Sequence, residues 1–147
     1  MEPLQTIVYA SSATRPFTEA QLESLVIDAR DFNLDCGVTG VLLYSDGNFM
    51  QCIEGPVESM RITYERIRLS RRHGGIIELL NCPVDARVFP DWQMAYAQPT
   101  KSEFLALSTA RWQRTSDAAH AMAPRPHGLT LLQSFWKRVN QPYITNK

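Results

Sequence analysis

Much that would assign this chain quickly is missing from it. Cysteine is sparse: the three residues, Cys36, Cys52 and Cys82, show no C-x-x-C spacing, which argues against a disulfide framework and predicts reduced, packed thiols. Net charge is absent, since 15 basic residues balance 15 acidic ones. A neutral chain has no long-range field to capture nucleic acid or an anionic membrane, so neither is expected as a partner. Long apolar runs are absent too; none approaches the roughly 18 residues of a membrane span, and the opening Met1-Glu-Pro-Leu does not read as a signal peptide. Together these absences predict a soluble, cytoplasmic protein. Its 147 residues suffice for one core, and no repeat or low-complexity tract divides them.

What is there is a stretch from Asn33 to Gly55 on which the rest hangs. It reads as a helix end stopped at Gly37, a strand from Val38 to Tyr44, a turn at Ser45-Asp46-Gly47 and a strand from Asn48 to Glu54. Alternation puts Phe49, Gln51 and Ile53 on one face, so an amide stands between two large apolar neighbours. Leaving a buried amide unpaired costs about 1–3 kcal/mol per group. Something polar must meet Gln51.

Ahead of this stretch, Leu4 to Ala10 predicts a strand with Ile7 and Tyr9 on one face. Thr18 and Gln21 form a capping-box pattern, opening a helix whose apolar stripe of Leu22, Leu25, Val26 and Ala29 ends in Asn33. After Gly55-Pro56 a second helix is expected to run to about Arg72, with Met60, Tyr64 and Ile67 on its apolar stripe and Arg61, Glu65, Arg68 and Arg72 on a solvated one. Gly74-Gly75 should stop it. Ile76 to Pro83 and Trp92 to Ala97 predict two more strands, the last with Trp92, Met94 and Tyr96 on one face. The order strand, helix, strand, strand, helix, strand, strand describes an α+β, ferredoxin-like five-stranded sheet with two helices on one face and its first and third strands adjacent.

Beyond it, Thr100 and Glu103 open a helix expected to stack Leu105, Thr109 and Trp112; Gln113 to His127 reads as a loop. Gly128 then precedes a last helix with Leu131, Leu132, Phe135, Trp136 and Val139, stopped by Asn140 and Pro142. These two C-terminal helices are expected to cover the sheet's other face.

Tyr9, Gln51 and Asn33 thus converge on the helix side of the sheet. A phenol and two carboxamides can hydrogen-bond a flat heteroaromatic ring; they are poor hydrolytic machinery, because none is a good base near pH 7. Each residue also has an ordinary explanation. Tyr9 can be strand packing, Gln51 and Tyr9 a closed structural pair, Asn33 a helix end, the run from Arg66 to His73 a solvated helix terminus, and Trp92 and Met94 core.

Their joint order is what the chain shares with a known family. Ile7-Val-Tyr-Ala-Ser11, Asn33 with Gly37-Val-Thr-Gly-Val-Leu-Leu-Tyr44, Gly47-Asn-Phe-Met-Gln-Cys-Ile-Glu-Gly55 and Trp92-Gln-Met94 resemble the BLUF photoreceptors, blue-light sensors that bind FAD, over roughly residues 4 to 98. The resemblance implies a flavin-binding domain at 1–98 with a helical extension at 99–147 in the same compact unit. It implies that Tyr9 gives an electron and a proton to the excited flavin, that Gln51 bridges phenol and flavin, and that Asn33 bonds the ring edge. Arg66 would approach the phosphate side, Phe49 and Ile67 would flank the cofactor, and Trp92 and Met94 would change contacts with light; which of the two adjoins Gln51 stays open. The cofactor is expected to be FAD, with FMN or riboflavin as options. The implied partner is a downstream signalling protein, the implied state a homo-oligomer, and no catalysis or metal is implied. Two departures stand out: Phe32 occupies a position where many members have a second Asn, and Ser70 replaces a common acidic residue. The runner-up is a small ferredoxin-like enzyme, either a flavin-dependent oxidoreductase or an acylphosphatase-like hydrolase; a ligand-free interaction module is the third reading.

Overall fold

The computed structural model describes residues 3–112 and 126–139. The chain divides into two compact units, Met1–Pro99 and Thr100–Lys147. The first contains β1 (Leu4–Ala13), α1 (Glu19–Cys36), β2 (Thr39–Ser45), β3 (Asn48–Pro56), α2 (Val57–Leu69), β4 (His73–Val84) and β5 (Ala95–Ala97). The sheet runs β4-β1-β3-β2-β5, antiparallel except where β5 joins β2 in parallel. This is the ferredoxin-like order the sequence predicts, with β1 beside β3 at the centre.

Local chemistry sets the boundaries. Thr18 caps α1 through its side chain, and Gln21 returns the bond to the Thr18 amide. Gly37 ends the helix at φ 72, a left-handed turn that any Cβ would strain. Asp46 and Gly47 both have positive φ, as a tight two-residue hairpin between β2 and β3 requires. On the helix side of the sheet, Ile7, Leu42, Phe49 and Ile53 pack with Leu22 and Val26 of α1 and Met60 of α2. That face holds the core of the first unit.

The structure corrects three expectations here. Helix α2 ends at Leu69, not Arg72, and Gly74 and Gly75 do not stop it: they lie inside β4, which begins at His73. Gly75, at φ 63, sits in an irregularity opposite the segment between Ala10 and Ser12 of β1. Strand β5 is three residues long, and Trp92 to Met94 precede it as an irregular segment. Met94 and Tyr96 still face the core, whereas half-buried Trp92 is not part of it.

The second unit holds α3 (Lys101–Ser108) and α4 (His127–Val139). The Thr100 and Glu103 capping box is present. The stripe read into α3 is not: Leu105 is exposed, Leu107 is buried, and Trp112 lies beyond the helix end. The Trp112 indole donates to the Leu107 carbonyl at 2.9 Å, and its ring lies so close to α4 that a Cβ on Gly128 would stand 2.4 Å from it. Gly128 lies within α4 rather than ahead of it, and only a bare Cα there admits the Trp112 ring. Residues 113–125 of the expected loop, and the stop at Asn140 and Pro142, lie outside the described residues. Among the described residues, no helix is long and apolar enough to cross a membrane, and no cluster of His, Cys, Asp and Glu could hold a metal.

Candidate functional site

The site starts from strand register. Tyr9 of β1 is the antiparallel partner of Gln51 of β3, and Leu42 of β2 flanks Gln51 on its other side. Directly opposed side chains on one face meet. The Tyr9 hydroxyl donates to Gln51 Oε1, and Gln51 Nε2 donates to Met94 Sδ at 3.4 Å. Phenol, amide and thioether thus form one buried chain. Met94, not Trp92, is the neighbour of Gln51.

This chain borders a cavity of about 730 Å³ between α1 and α2. Leu25 and Ala29 of α1, Leu42 of β2, Phe49 of β3 and Ile67 of α2 give it apolar walls, and Tyr9 and Gln51 stand at its base. The volume lies in the range of small-molecule sites, which combine apolar walls with a few fixed polar groups. Its rim carries both signs of charge: Arg61, Glu65 and Arg66 from α2, Arg72 from just beyond it, and Asp28 from α1. Arg61 and Glu65, read from sequence as a solvated stripe, therefore border the cavity. Arg72 pairs with Asp28 at 3.3 Å, and the Arg66 guanidinium lies 4.3 Å from the centre of the Phe32 ring. Where the second amide was missed, an aromatic ring carries the rim's cation. Ser70 also lines the cavity, and its hydroxyl accepts from the Arg72 amide.

Burial raises the Tyr9 phenol well above its usual pKa near 10, with Tyr64 adding to the effect. Tyr9 is therefore a protonated donor at any physiological pH. Tyr64, its ring 6.1 Å from that of Tyr9, is pushed up to about 12 by burial and then by Glu78. His73 was read only as part of a basic helix end. It lines the cavity, Nε2 donates to the Ile67 carbonyl at 3.0 Å, and Nδ1 meets the Ser11 hydroxyl at 2.8 Å. Burial holds its pKa below the usual 6.5, against the pull of that carbonyl. Ser11 could have been found by parity, being two residues past Tyr9 on the same face; His73 could not, because the sequence put it just past a helix end and outside any strand.

Asn33 is buried, but its amide donates to the Gln93 carbonyl at 2.6 Å and does not line the cavity. The segment 92–94 is fastened at each residue: Gly40 N–H donates to the Trp92 carbonyl at 2.9 Å, Asn33 to that of Gln93, and Arg30 Nε to that of Met94 at 2.8 Å. Trp92 likewise lies off the cavity. Tyr9, Phe49, Gln51, Arg66 and Ile67 are brought together on it, with Met94 one bond behind.

Fold and site together define a small domain of the ligand-binding kind, with a buried polar pair bordering an apolar-walled cavity. The model of the BLUF family, sensors of blue-light using FAD, matches residues 4–95. The chain is 35% identical over 95 residues to a photoactivated adenylate cyclase subunit beta of Euglena longa, an alignment covering 64% of this chain and 11% of that protein. It therefore spans about a tenth of that relative's length. The dark-state structure of BlrB, a BLUF protein, is 32% identical at a TM-score of 0.64 and covers 74% of this chain and 80% of its own. The photo-activated state of BlsA is 26% identical at a TM-score of 0.69, covering 98% and 99%. This chain belongs to the BLUF family of blue-light sensors, whose cofactor is FAD. The site fits that group. Gln51 spends an N–H on a thioether, a weak acceptor, so a stronger acceptor presented by a ring between the apolar walls would be better matched.

Proposed function

We propose that Tyr9 and Gln51 are the photoactive pair of this sensor and that Met94 is the first residue to carry the signal away. One observation carries the reading: the Tyr9 hydroxyl, Gln51 and Met94 Sδ form a continuous hydrogen-bonded chain at the base of the cavity. Bound FAD supplies the chromophore and, under blue light, a strong one-electron oxidant. Tyr9 is placed to lose that electron, and an oxidised phenol is a strong acid, so its proton leaves along the bond already made to Gln51. Gln51 then rotates or tautomerises. Return of the electron and proton restores the phenol while the amide stays rearranged.

Rotation has a definite cost in this structure. It turns Nε2 toward the Tyr9 oxygen and Oε1 toward Met94 Sδ, setting two acceptors together where a bond had been. Met94 must re-pack, and Met94 belongs to the segment fastened by Gly40, Asn33 and Arg30. A stepwise re-pairing there shifts β5 or the loop before it. Phe49, Ile67 and Arg66 hold the ring and its tail, and Asn33 acts through the Gln93 carbonyl. Output goes to a downstream signalling protein, and the chain works as a homo-oligomer without chemistry of its own.

Absorption spectra of the purified protein before, during and after blue light, beside Tyr9→Phe, test this directly. The flavin bands should shift slightly to the red, recover in the dark, and stay unshifted in the variant. A variant that shifts like the wild type would remove Tyr9 from the mechanism. Light-dependent change in elution volume or in captured partner tests the output.

A further inference from the structure

Behind the photoactive pair stands a second phenol that takes no part in the chain from Tyr9 to Met94. The Tyr64 ring of α2 lies 6.1 Å, centre to centre, from that of Tyr9, yet Tyr64 does not line the cavity. It is half-buried, where Tyr9 is only 3% exposed. The two phenols differ in what can take their protons. Tyr9 donates to the Gln51 amide, whereas the Tyr64 hydroxyl donates to the Glu78 carboxylate. A carboxylate binds a proton in water at about pH 4, where an amide stays unprotonated.

A bulge in β4 brings that carboxylate to Tyr64. Ile7 pairs with Asn81 and Val8 with Leu80, so an unbroken ladder would set Leu79 opposite Tyr9. The register slips there by one residue and sets Glu78 opposite Tyr9 instead, on the face that α2 covers. Asn81 Nδ2 donates to Glu78 Oε2 at 3.4 Å, and Gln5 Nε2 donates to Asn81 Oδ1 at 2.6 Å. The carboxylate thus heads a polar row on the outer strands, and it is exposed, so a proton it takes can pass to water.

We propose that Tyr64 is a second redox-active tyrosine, which gives an electron to oxidised Tyr9 and its own proton to Glu78. This rests on the flavin-sensor reading above, in which the photoexcited flavin is the oxidant that takes an electron from Tyr9. One electron crosses between the touching rings; the O–H bond of Tyr64 breaks, and a new O–H bond forms on the Glu78 carboxylate. Tyr9 recovers its electron and, from Gln51, its proton, and is again a neutral phenol. Tyr64 is left as a neutral phenoxyl radical, while the electron that Tyr9 gave stays with the flavin. The stronger base at Tyr64 makes this transfer downhill. A small one-electron donor in solution, such as ascorbate, then refills Tyr64, and Glu78 returns the proton. The light response therefore has a competing exit, in which a soluble donor reduces the flavin by way of Tyr64.

Continuous blue light with ascorbate, under anaerobic conditions, tests it in wild type, Tyr64→Phe and Glu78→Gln. The flavin bands of the wild type should bleach progressively beneath the reversible red shift. Both variants should bleach several-fold more slowly and keep the red shift, which also reports that they fold and hold the flavin. Samples frozen under light without ascorbate should give a radical resonance that narrows when ring-deuterated tyrosine is incorporated, and Tyr64→Phe should lose that component. A flavin-free measurement tests the proton acceptor. In the apoprotein, burial and then Glu78 push the Tyr64 phenol up to about 12, so Glu78→Gln should lower the pH at which the tyrosinate absorbance missing from Tyr64→Phe appears. Bleaching as fast in Tyr64→Phe as in wild type, or a tyrosyl signal that survives there, would overturn the role of Tyr64. An unchanged titration in Glu78→Gln would overturn that of Glu78. Either result beside a red shift that Tyr9→Phe abolishes would sink this proposal alone, whereas a red shift that survives Tyr9→Phe would sink the reading beneath it.

Discussion

Two polar side chains are buried three residues apart on β3, on opposite faces of the sheet, and they are held in opposite ways. The Glu54 carboxylate is closed in by donors: Thr6 Oγ1 at 2.7 Å, Val88 N–H at 2.9 Å and Phe89 N–H at 2.8 Å. Arg87 reinforces the same region by reaching Thr39 Oγ1 and the Gly37 carbonyl. Gln51, only 6% exposed, has one strong bond from Tyr9 and one weak bond to a thioether, and its remaining side is the cavity wall. The first group has a single satisfied arrangement. The second keeps one weak bond and one open side, which is what the rearrangement proposed above requires. A sensor needs both: a fixed strand to refer motion to, and a group on it that can exchange donor for acceptor.

The sharpest way to break this comparison is to delete each group. Glu54→Leu orphans two backbone N–H groups and a buried hydroxyl, at about 1–3 kcal/mol each, so it should cost about 3 kcal/mol or more in urea unfolding. Gln51→Leu leaves the Tyr9 hydroxyl unmatched but adds apolar contact, and should cost less than about 1.5 kcal/mol. Equal costs would mean that Gln51 is as structural as Glu54. The ranking should invert for the light-driven red shift, which Gln51→Leu abolishes and a folded Glu54→Gln keeps.

Next in size is Met94→Leu. The swap conserves volume, so stability should change by less than about 1.5 kcal/mol, while the bond from Gln51 Nε2 is lost. Dark recovery, followed by absorbance after a light pulse, should change several-fold, because the dark orientation of the amide loses its partner. An unaltered recovery time would show that Met94 is only core, as its burial alone would suggest.

That burial also shows how far the sequence could be read. Period-two alternation placed Tyr9, Gln51 and Phe49 on one face, and side-chain caps placed the start of α1, because both depend on a few neighbouring residues. The strand order followed from the order of elements. Ends set by tertiary contact were not legible: α2 stops at Leu69, short of the expected Arg72 and with no glycine to announce it, and His73, at the start of β4, is bonded to Ser11 and the Ile67 carbonyl. Similarly, Trp92-Gln-Met94 looks like strand by composition, but its carbonyls are taken by Gly40, Asn33 and Arg30 instead of a ladder. The amide of Asn33 was assigned to a ligand on family likeness; the structure places its donor on the backbone.

His73 gives the smallest expected effect and the finest distinction between the two kinds of buried polar group. Its Nε2–H is spent on the Ile67 carbonyl, so a neutral ring presents a bare Nδ1 to the Ser11 hydroxyl, and protonation would turn that acceptor into a second donor. Its folded pKa is depressed by burial, so between that value and the unfolded value near 6.5 the unfolded chain holds a proton that the folded chain does not. Stability contributed by His73 is therefore complete above about pH 6.5, declines as pH falls through that value, and levels off once the folded ring is also protonated. Urea midpoints measured from about pH 7.5 down to about pH 5.5 should fall for the wild type and stay flatter for His73→Gln, which can keep one bond without titrating. A variant with the same slope would assign the decline to other groups. A flatter slope would make His73 a group like Glu54, fixed by its partners, set in the wall of the same cavity that Gln51 borders.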